Sequence, residues 1–186
     1  WVSQLSLSFI NVLKEKFNAD AGYDVKWGLA KESDHPCFKD CETFLQRGDG
    51  LGERLKDAWD RHEHEQILVI GSDAPQVSKE TVDNAFKALL THESVLGPAD
   101  DGGFYLFGSQ SSFDSSIFLE IPYSQNNTGQ ELKNKLNNPF VLSRNFDVDQ
   151  KKDLSNLYEH YKDKKRSEQE EVLFSLLKGP SFKARS

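Results

Sequence analysis

The chain has 186 residues, 37% of them hydrophobic and 28% charged, with a formal net charge of −7. This length fits one domain with a real core; no apolar run reaches the roughly 18 residues of a membrane helix, and Trp1 to Ser8 lacks the basic start and apolar block of a signal peptide. The spread of acidic charge disfavours a nucleic-acid backbone as partner, which calls for basic patches, but leaves open a single nucleotide held through a metal.

From Gln4 to Phe17, apolar residues at Leu5, Phe9, Ile10, Leu13 and Phe17 mark one face of a helix, and Gly22 stops it. Tyr23 to Ala30 is strand-like. A polar loop broken by Pro36 follows, then a short strand at Thr43 to Gln46. Cys37 and Cys41 in this loop have no second pair with which to form a zinc site, so they read as reduced thiols, in agreement with a cytoplasmic location. GDGLGERL, Gly48 to Leu55, is a glycine-rich turn whose amides could approach a ligand, though taken alone a strand-to-helix turn with no ligand explains it better. The helix it opens continues through Ala58 and Trp59. Arg61 to Gln66 is a charged turn in which His62 and His64 read as surface residues.

The organising stretch is Ile67 to Phe107. Ile67 to Ile70 is a buried strand that stops at Gly71-Ser72-Asp73, placing a carboxylate at a strand's carboxyl end, where open α/β sheets bind ligands. Ser78 is placed to cap a helix with Val82, Ala85, Phe86 and Leu89 on its inner face. Val95 to Gly97 is a second strand, ending in Asp100-Asp101-Gly102-Gly103 and turning into a third, Phe104 to Phe107. If these strands are neighbours, Asp73, Asp100 and Asp101 gather at one rim, a set suited to a hard divalent cation and a phosphorylated substrate. Each also has a plainer role: Asp73 as a turn residue ahead of Pro75, Asp101-Gly102 as a hairpin turn.

Further on, Ile117 to Ile121 reads as a short strand or extended edge, and Thr128 with Glu131 as a capping box. Phe140 to Leu142 reads as a strand. After Asn145-Phe146-Asp147-Val148-Asp149 comes a helix bearing Leu154, Leu157, Tyr158 and Tyr161; Asp149 is its expected N-cap, which leaves Asp147 free for chemistry. Lys162 to Glu171 is a solvated charge run, Val172 to Leu177 an apolar cluster able to dock, and Gly179-Pro180 the start of a mobile tail. The alternation of elements gives a layered α/β domain with a largely parallel sheet, spanning residues 1–161 and followed by a linker, short helix and tail at 162–186.

GSDAP, then GPADDGGFYLFG, with QRGDGLGERL upstream and FDVDQKKDLSNL downstream, resembles the DUF2064 group, or selenodomain-associated transferase 1. This family is similar in turn to MobA-like and phospholactate guanylyltransferase-like nucleotidyltransferases. The resemblance implies a three-layer, Rossmann-like GT-A (nucleotide-diphospho-sugar transferase) fold with a mostly parallel sheet. It implies that Asp73 and Asp147 hold Mg2+ or Mn2+, that Gly48, Asp49, Gly50 and Arg54 flank the nucleotide together with Ser72, and that Asp101, Gly102 and Gly103 lie near the sugar or acceptor. The reaction so implied is glycosyl transfer from a nucleoside-diphosphate sugar to an unidentified acceptor, with Asp101 as candidate general base. The alternatives are nucleotidyl transfer from an NTP to a phosphorylated acceptor, and a catalytically degenerate nucleotide-binding or scaffold protein. Two departures stand out. The family's opening strand and basic glycine loop have no counterpart ahead of the Gln4 helix, and its acceptor-side tryptophan-serine-threonine reads Pro122-Tyr123-Ser124-Gln125 here.

Overall fold

The computed structural model describes residues 2–62, 66–123 and 125–179. Helix α1 (Val2–Lys16) leads to β1 (Lys26–Leu29) and β2 (Glu42–Leu45), which pair in parallel as a two-stranded sheet. Helix α2 (Leu51–Arg61) follows, then β3 (Gln66–Ile70), α3 (Lys79–Ala88), β4 (Ser94–Pro98) and β5 (Phe104–Gln110). The rest comprises α4 (Thr128–Lys135), β6 (Phe140–Val141), α5 (Leu154–Lys162) and α6 (Glu168–Leu177).

The larger sheet has the order β3-β5-β4-β6. Strands β3, β4 and β6 run in one direction, and β5 alone runs against them. The expected β3-α3-β4 unit is present, but its strands are not neighbours: β5 doubles back through the hairpin at Ala99–Gly103 and slots between them. The strand ends still gather at one rim, because β3 and β4 keep the same direction on either side of β5.

Apolar side chains form three packed groups. Leu13 of α1 and Phe17 just beyond its end meet Val82, Ala85 and Leu89 of the α3 segment against Val95 and Leu106 of the sheet. On the opposite face, Leu55 and Trp59 of α2 meet Leu96, Phe107, Phe118 and Leu132. The third group joins Leu5, Phe9 and Val12 of α1 to Leu154, Leu157 and Tyr161 of α5 and to Leu173, Phe174 and Leu177 of α6. Each large side chain so buried contributes about 1.5–3 kcal/mol. The apolar cluster near the carboxyl end thus docks through α6, leaving Val172 exposed. Within the charge run that precedes it, Glu170 leaves solvent to form an ion pair with Lys16 at 3.0 Å.

Four local expectations are corrected by packing. Ser115–Glu120 is a 3₁₀ helix rather than an edge strand, because Asp114 accepts from the Ser116 amide and Phe118 is drawn fully inside between Trp59 and Phe107. The Thr128 hydroxyl donates to the Pro122 and Gln125 carbonyls from inside the first turn of α4, so the capping box does not form, and Glu131 Oε1 accepts from the Asn127 side-chain Nδ2 instead. His62 is half-buried, edge-on to Phe44 at 5.2 Å, rather than a surface residue; His64 lies outside the described residues, as does the tail from Pro180. Asp149 caps no helix, since Gln150 and Asp153 form the capping box there. Both cysteines are free, and no described helix is long and apolar enough to cross a membrane.

Candidate active site

Three loops converge at the carboxyl ends of β3, β4 and β6, and hydrogen bonds stitch them together. The Val148 amide donates to the Asp73 carbonyl at 3.1 Å, and the Asn145 amide to that of Pro98 at 3.0 Å. Gln76, nearly fully buried, donates to the Phe146 carbonyl and to Asn145 Oδ1. Behind them the Pro75 carbonyl accepts from Lys16 Nζ at 2.6 Å and from the Tyr161 hydroxyl at 3.1 Å, tying the rim to α1 and α5.

The DGG turn is held as firmly. Gly102 has φ +95°, and a Cβ there would lie 1.7 Å from the Asn126 carbonyl oxygen. The Gly129 amide, in the first turn of α4, donates to the Gly102 carbonyl at 2.8 Å; a Cβ on Gly129 would in turn lie 2.4 Å from the Gly103 carbonyl oxygen. Only glycine permits this approach of turn and helix.

The Asp101, Asp147 and Asp149 side chains each place an oxygen within 4.8 Å of the other two. Asp101 Oδ1 also accepts from the Gly103 amide at 2.7 Å, which aims it. Two full charges at that spacing repel by about 3 kcal/mol at an effective dielectric near 20. Burial, then Asp101 and more weakly Asp149 and Asp73, push the Asp147 carboxyl up to about 6. Burial, with Asp149 and Asp101, also raises Asp73, against a backbone hydrogen bond that lowers it. Six oxygens about 2.1 Å from a Mg2+ ion stand about 3–4 Å apart, so the three converging oxygens fit a hard cation with little closure.

A cleft of about 920 Å³ opens onto this rim, between the β1–β2 pair and the edge of β3. Of the residues singled out from sequence, Arg54, Ser72, Asp73, Asp101, Gly103 and Asp147 line it. Gly102 instead faces a second, smaller cavity on the other side of the turn. Gly48, Asp49 and Gly50 line neither cavity: the Asp49 and Gly50 amides donate to Glu53 Oε2, and the Gly48 carbonyl accepts from Arg54 Nε at 3.0 Å. Asp73 stands beside the converging trio rather than in it. Asp149 is the member that sequence reasoning missed. Its signal was the Asp-x-Asp alternation, in which Val148 turns inward onto the helical core and leaves both carboxylates on the opposite side.

The architecture is that of a nucleotide-diphospho-sugar transferase. It superposes with a TM-score of 0.83 and 27% identity on a crystal structure from Desulfovibrio desulfuricans G20 provisionally described as such a transferase, covering 94% of this chain and 82% of that one. The bifunctional IspDF of Campylobacter jejuni shares the fold at a TM-score of 0.58 and 14% identity, over 81% of this chain and 45% of its own. Residues 19–125, more than half of the chain, match the family model described as "Uncharacterized protein conserved in bacteria (DUF2064)", and the chain belongs to that family. Among curated proteins it is similar to the 2-phospho-L-lactate guanylyltransferase of Methanocaldococcus jannaschii, 22% identical over 161 residues (83% of this chain, 71% of the relative). The enzyme of that name from Methanocaldococcus sp. FS406-22 is 21% identical over 123 residues, 64% of this chain and 53% of its own length.

Proposed function

We propose that this chain is a divalent-cation-dependent transferase that holds a nucleotide-activated substrate at the carboxylate rim and passes a group from it to an acceptor beside Asp101. The observation that carries this is the convergence of Asp101, Asp147 and Asp149 oxygens, from two separate loops, at the carboxyl ends of the sheet strands. Those three would hold Mg2+ or Mn2+, with Asp73 adding negative field from behind. A bound cation would supply charge neutralisation on the phosphates. Asp101, with one oxygen fixed by the Gly103 amide and the cation beside it, serves better as a ligand than as the general base expected from sequence. Arg54, at the cleft wall, offers its guanidinium to a phosphate.

Nucleotidyl transfer stands first because both curated relatives are guanylyltransferases by name. In that reaction an acceptor oxygen bonds to the α-phosphorus of an NTP, the bond to the bridging oxygen breaks, and its electron pair leaves with pyrophosphate. Glycosyl transfer from a nucleoside-diphosphate sugar is the second reading, favoured by the Desulfovibrio likeness. Calorimetry with GTP, UTP, GDP-mannose and UDP-glucose in the presence of Mn2+ separates them, followed by assays for pyrophosphate and for free nucleoside diphosphate. Binding is expected only with Mn2+ and is lost in Asp149→Asn. Nucleotide binding indifferent to both Mn2+ and that substitution would refute the proposal.

A further inference from the structure

Asp147 is aimed by the backbone on either side of it, and both sides are held from the turn that follows β3. Before it, the Phe146 carbonyl accepts from Gln76 Nε2. After it, the Val148 amide donates to the Asp73 carbonyl at 3.1 Å. These two groups belong to the two planar peptide units that meet at the Asp147 Cα, so holding both fixes its φ and ψ and with them the direction of its side chain. Val148 is turned into the helical core, which leaves Asp149 on the same side as Asp147.

Of the two holds, only the one from Gln76 is made by a side chain. Asn145 Oδ1 accepts from the Phe146 amide at 2.9 Å and from Gln76 Nε2 at 3.3 Å. With two oxygens in front of it, the Gln76 amide can stand only one way round, nitrogen forward. Its Oε1 is thereby buried with no donor among the described residues, in a residue only 3% exposed. A methionine of the same length would remove that orphaned acceptor and create another, the carbonyl of the half-buried Phe146, so stability gains little from the amide. The turn that carries Gln76 is rigid: Ala74 and Val77 are fully buried, and the Pro75 carbonyl accepts from Lys16 Nζ and the Tyr161 hydroxyl. Gln76 lines neither cavity, so it reaches the site only through the loop it holds.

We infer that Gln76 is the positioning residue of the carboxylate cluster: it touches neither cation nor substrate, but by holding the Phe146 carbonyl it turns Asp147, and Asp149 beyond it, towards Asp101. Three carboxylates this close repel one another, and a loop free to rotate at Asp147 would carry that side chain out towards water; the Gln76 bond opposes the rotation and presents the oxygens already converged. The inference rests on the cation-dependent reading, because a fixed geometry among like charges is of use when a shared ion sits between them.

The test compares wild type with Gln76→Met, which keeps the length and removes the donors, with Gln76→Ala, which removes the side chain, and with Trp59→Phe, a destabilising change on the opposite face of the sheet. Mn2+ affinity is measured by calorimetry, and exchange of the Val148 amide is followed in EDTA, both at a temperature where melting curves show every protein folded. Gln76→Met is expected to melt within a few degrees of wild type and yet to bind Mn2+ about 10–100-fold more weakly. Its Val148 amide should exchange at least about tenfold faster. Gln76→Ala should show both losses and Trp59→Phe neither. Val148 exchange as slow as in wild type overturns the inference, as does a Mn2+ affinity unchanged in Gln76→Met or equally weakened in Trp59→Phe. A wild type that binds no Mn2+ sinks the cation reading alone, while faster Val148 exchange in Gln76→Met still assigns the orientation of Asp147 to Gln76.

Discussion

Replacing Gly102 by alanine tests whether the site depends on the clamp between turn and helix. The residue sits at φ +95°, where a side chain adds roughly 1–2 kcal/mol of strain. Its Cβ would also lie 1.7 Å from a backbone oxygen, that of Asn126, which cannot swing aside as a side chain could. Overpacking of this kind costs about 1–3 kcal/mol, and the stiffer unfolded chain returns only about 0.4–1. The net loss is about 2–4 kcal/mol, a fall in Tm of about 4–16 °C for a domain of this size. Thermal melts by circular dichroism, with urea midpoints at unchanged slope, measure it. Gly103→Ala is the contrast: its Cβ meets Asp101 Oδ1 at 3.1 Å, the end of a side chain that can move. That variant should lose less than about 1 kcal/mol, yet bind Mn2+ more weakly because the carboxylate is displaced. A Gly102→Ala protein that melts with wild type would show that the turn is not clamped.

Asp147→Asn and Asp149→Asn should each weaken Mn2+ binding by more than about tenfold in calorimetry; an unchanged affinity would place the cation elsewhere. His160 carries a pH prediction. Burial, then Lys164 and Lys16, push its imidazole down to about 4, with only Glu170 pulling upward. The folded state therefore favours the neutral ring, a stabilisation complete above the unfolded value of about 6.5 and lost as pH falls towards 4. Between pH 7.5 and 4.5 wild type should lose about 2 kcal/mol more than His160→Gln in urea titrations, and equal losses would contradict the assignment. Trp59→Phe removes the indole N–H that donates to Ser109 Oγ at 2.8 Å and leaves that fully buried hydroxyl without its partner. A loss of about 1–3 kcal/mol is expected from equilibrium unfolding; Trp59→Phe/Ser109→Ala should recover part of it.

The helices were legible from an apolar stripe, as in α1, or from a stripe that met a cap, as in α3 behind Ser78, because these signals lie within a few turns of chain. Asp73 and Asp101 were legible as carboxylates at strand ends, and Asp147 as a carboxylate that the expected cap at Asp149 left free. Asp149 was not: Asp before a helix is an ordinary cap, and only the neighbouring Gln150–Asp153 box removes that role. The Gly48–Gly50 amides could be read as ligand donors because nothing local shows that Glu53 takes two of them. Ser115–Glu120 has the composition of a strand, and its helical turn follows from where Phe118 must be buried.

By itself, then, the sequence determined the order of the elements, the α/β class and the presence of acidic groups at strand ends, since periodicity, capping and turn chemistry act between residues close in the chain. Tertiary structure alone decided that β5 lies between β3 and β4, that Asp149 joins Asp101 and Asp147, and that Gln76 meets Asn145 and Phe146. These are meetings of residues tens of positions apart, and their geometry is set by which buried faces pack together.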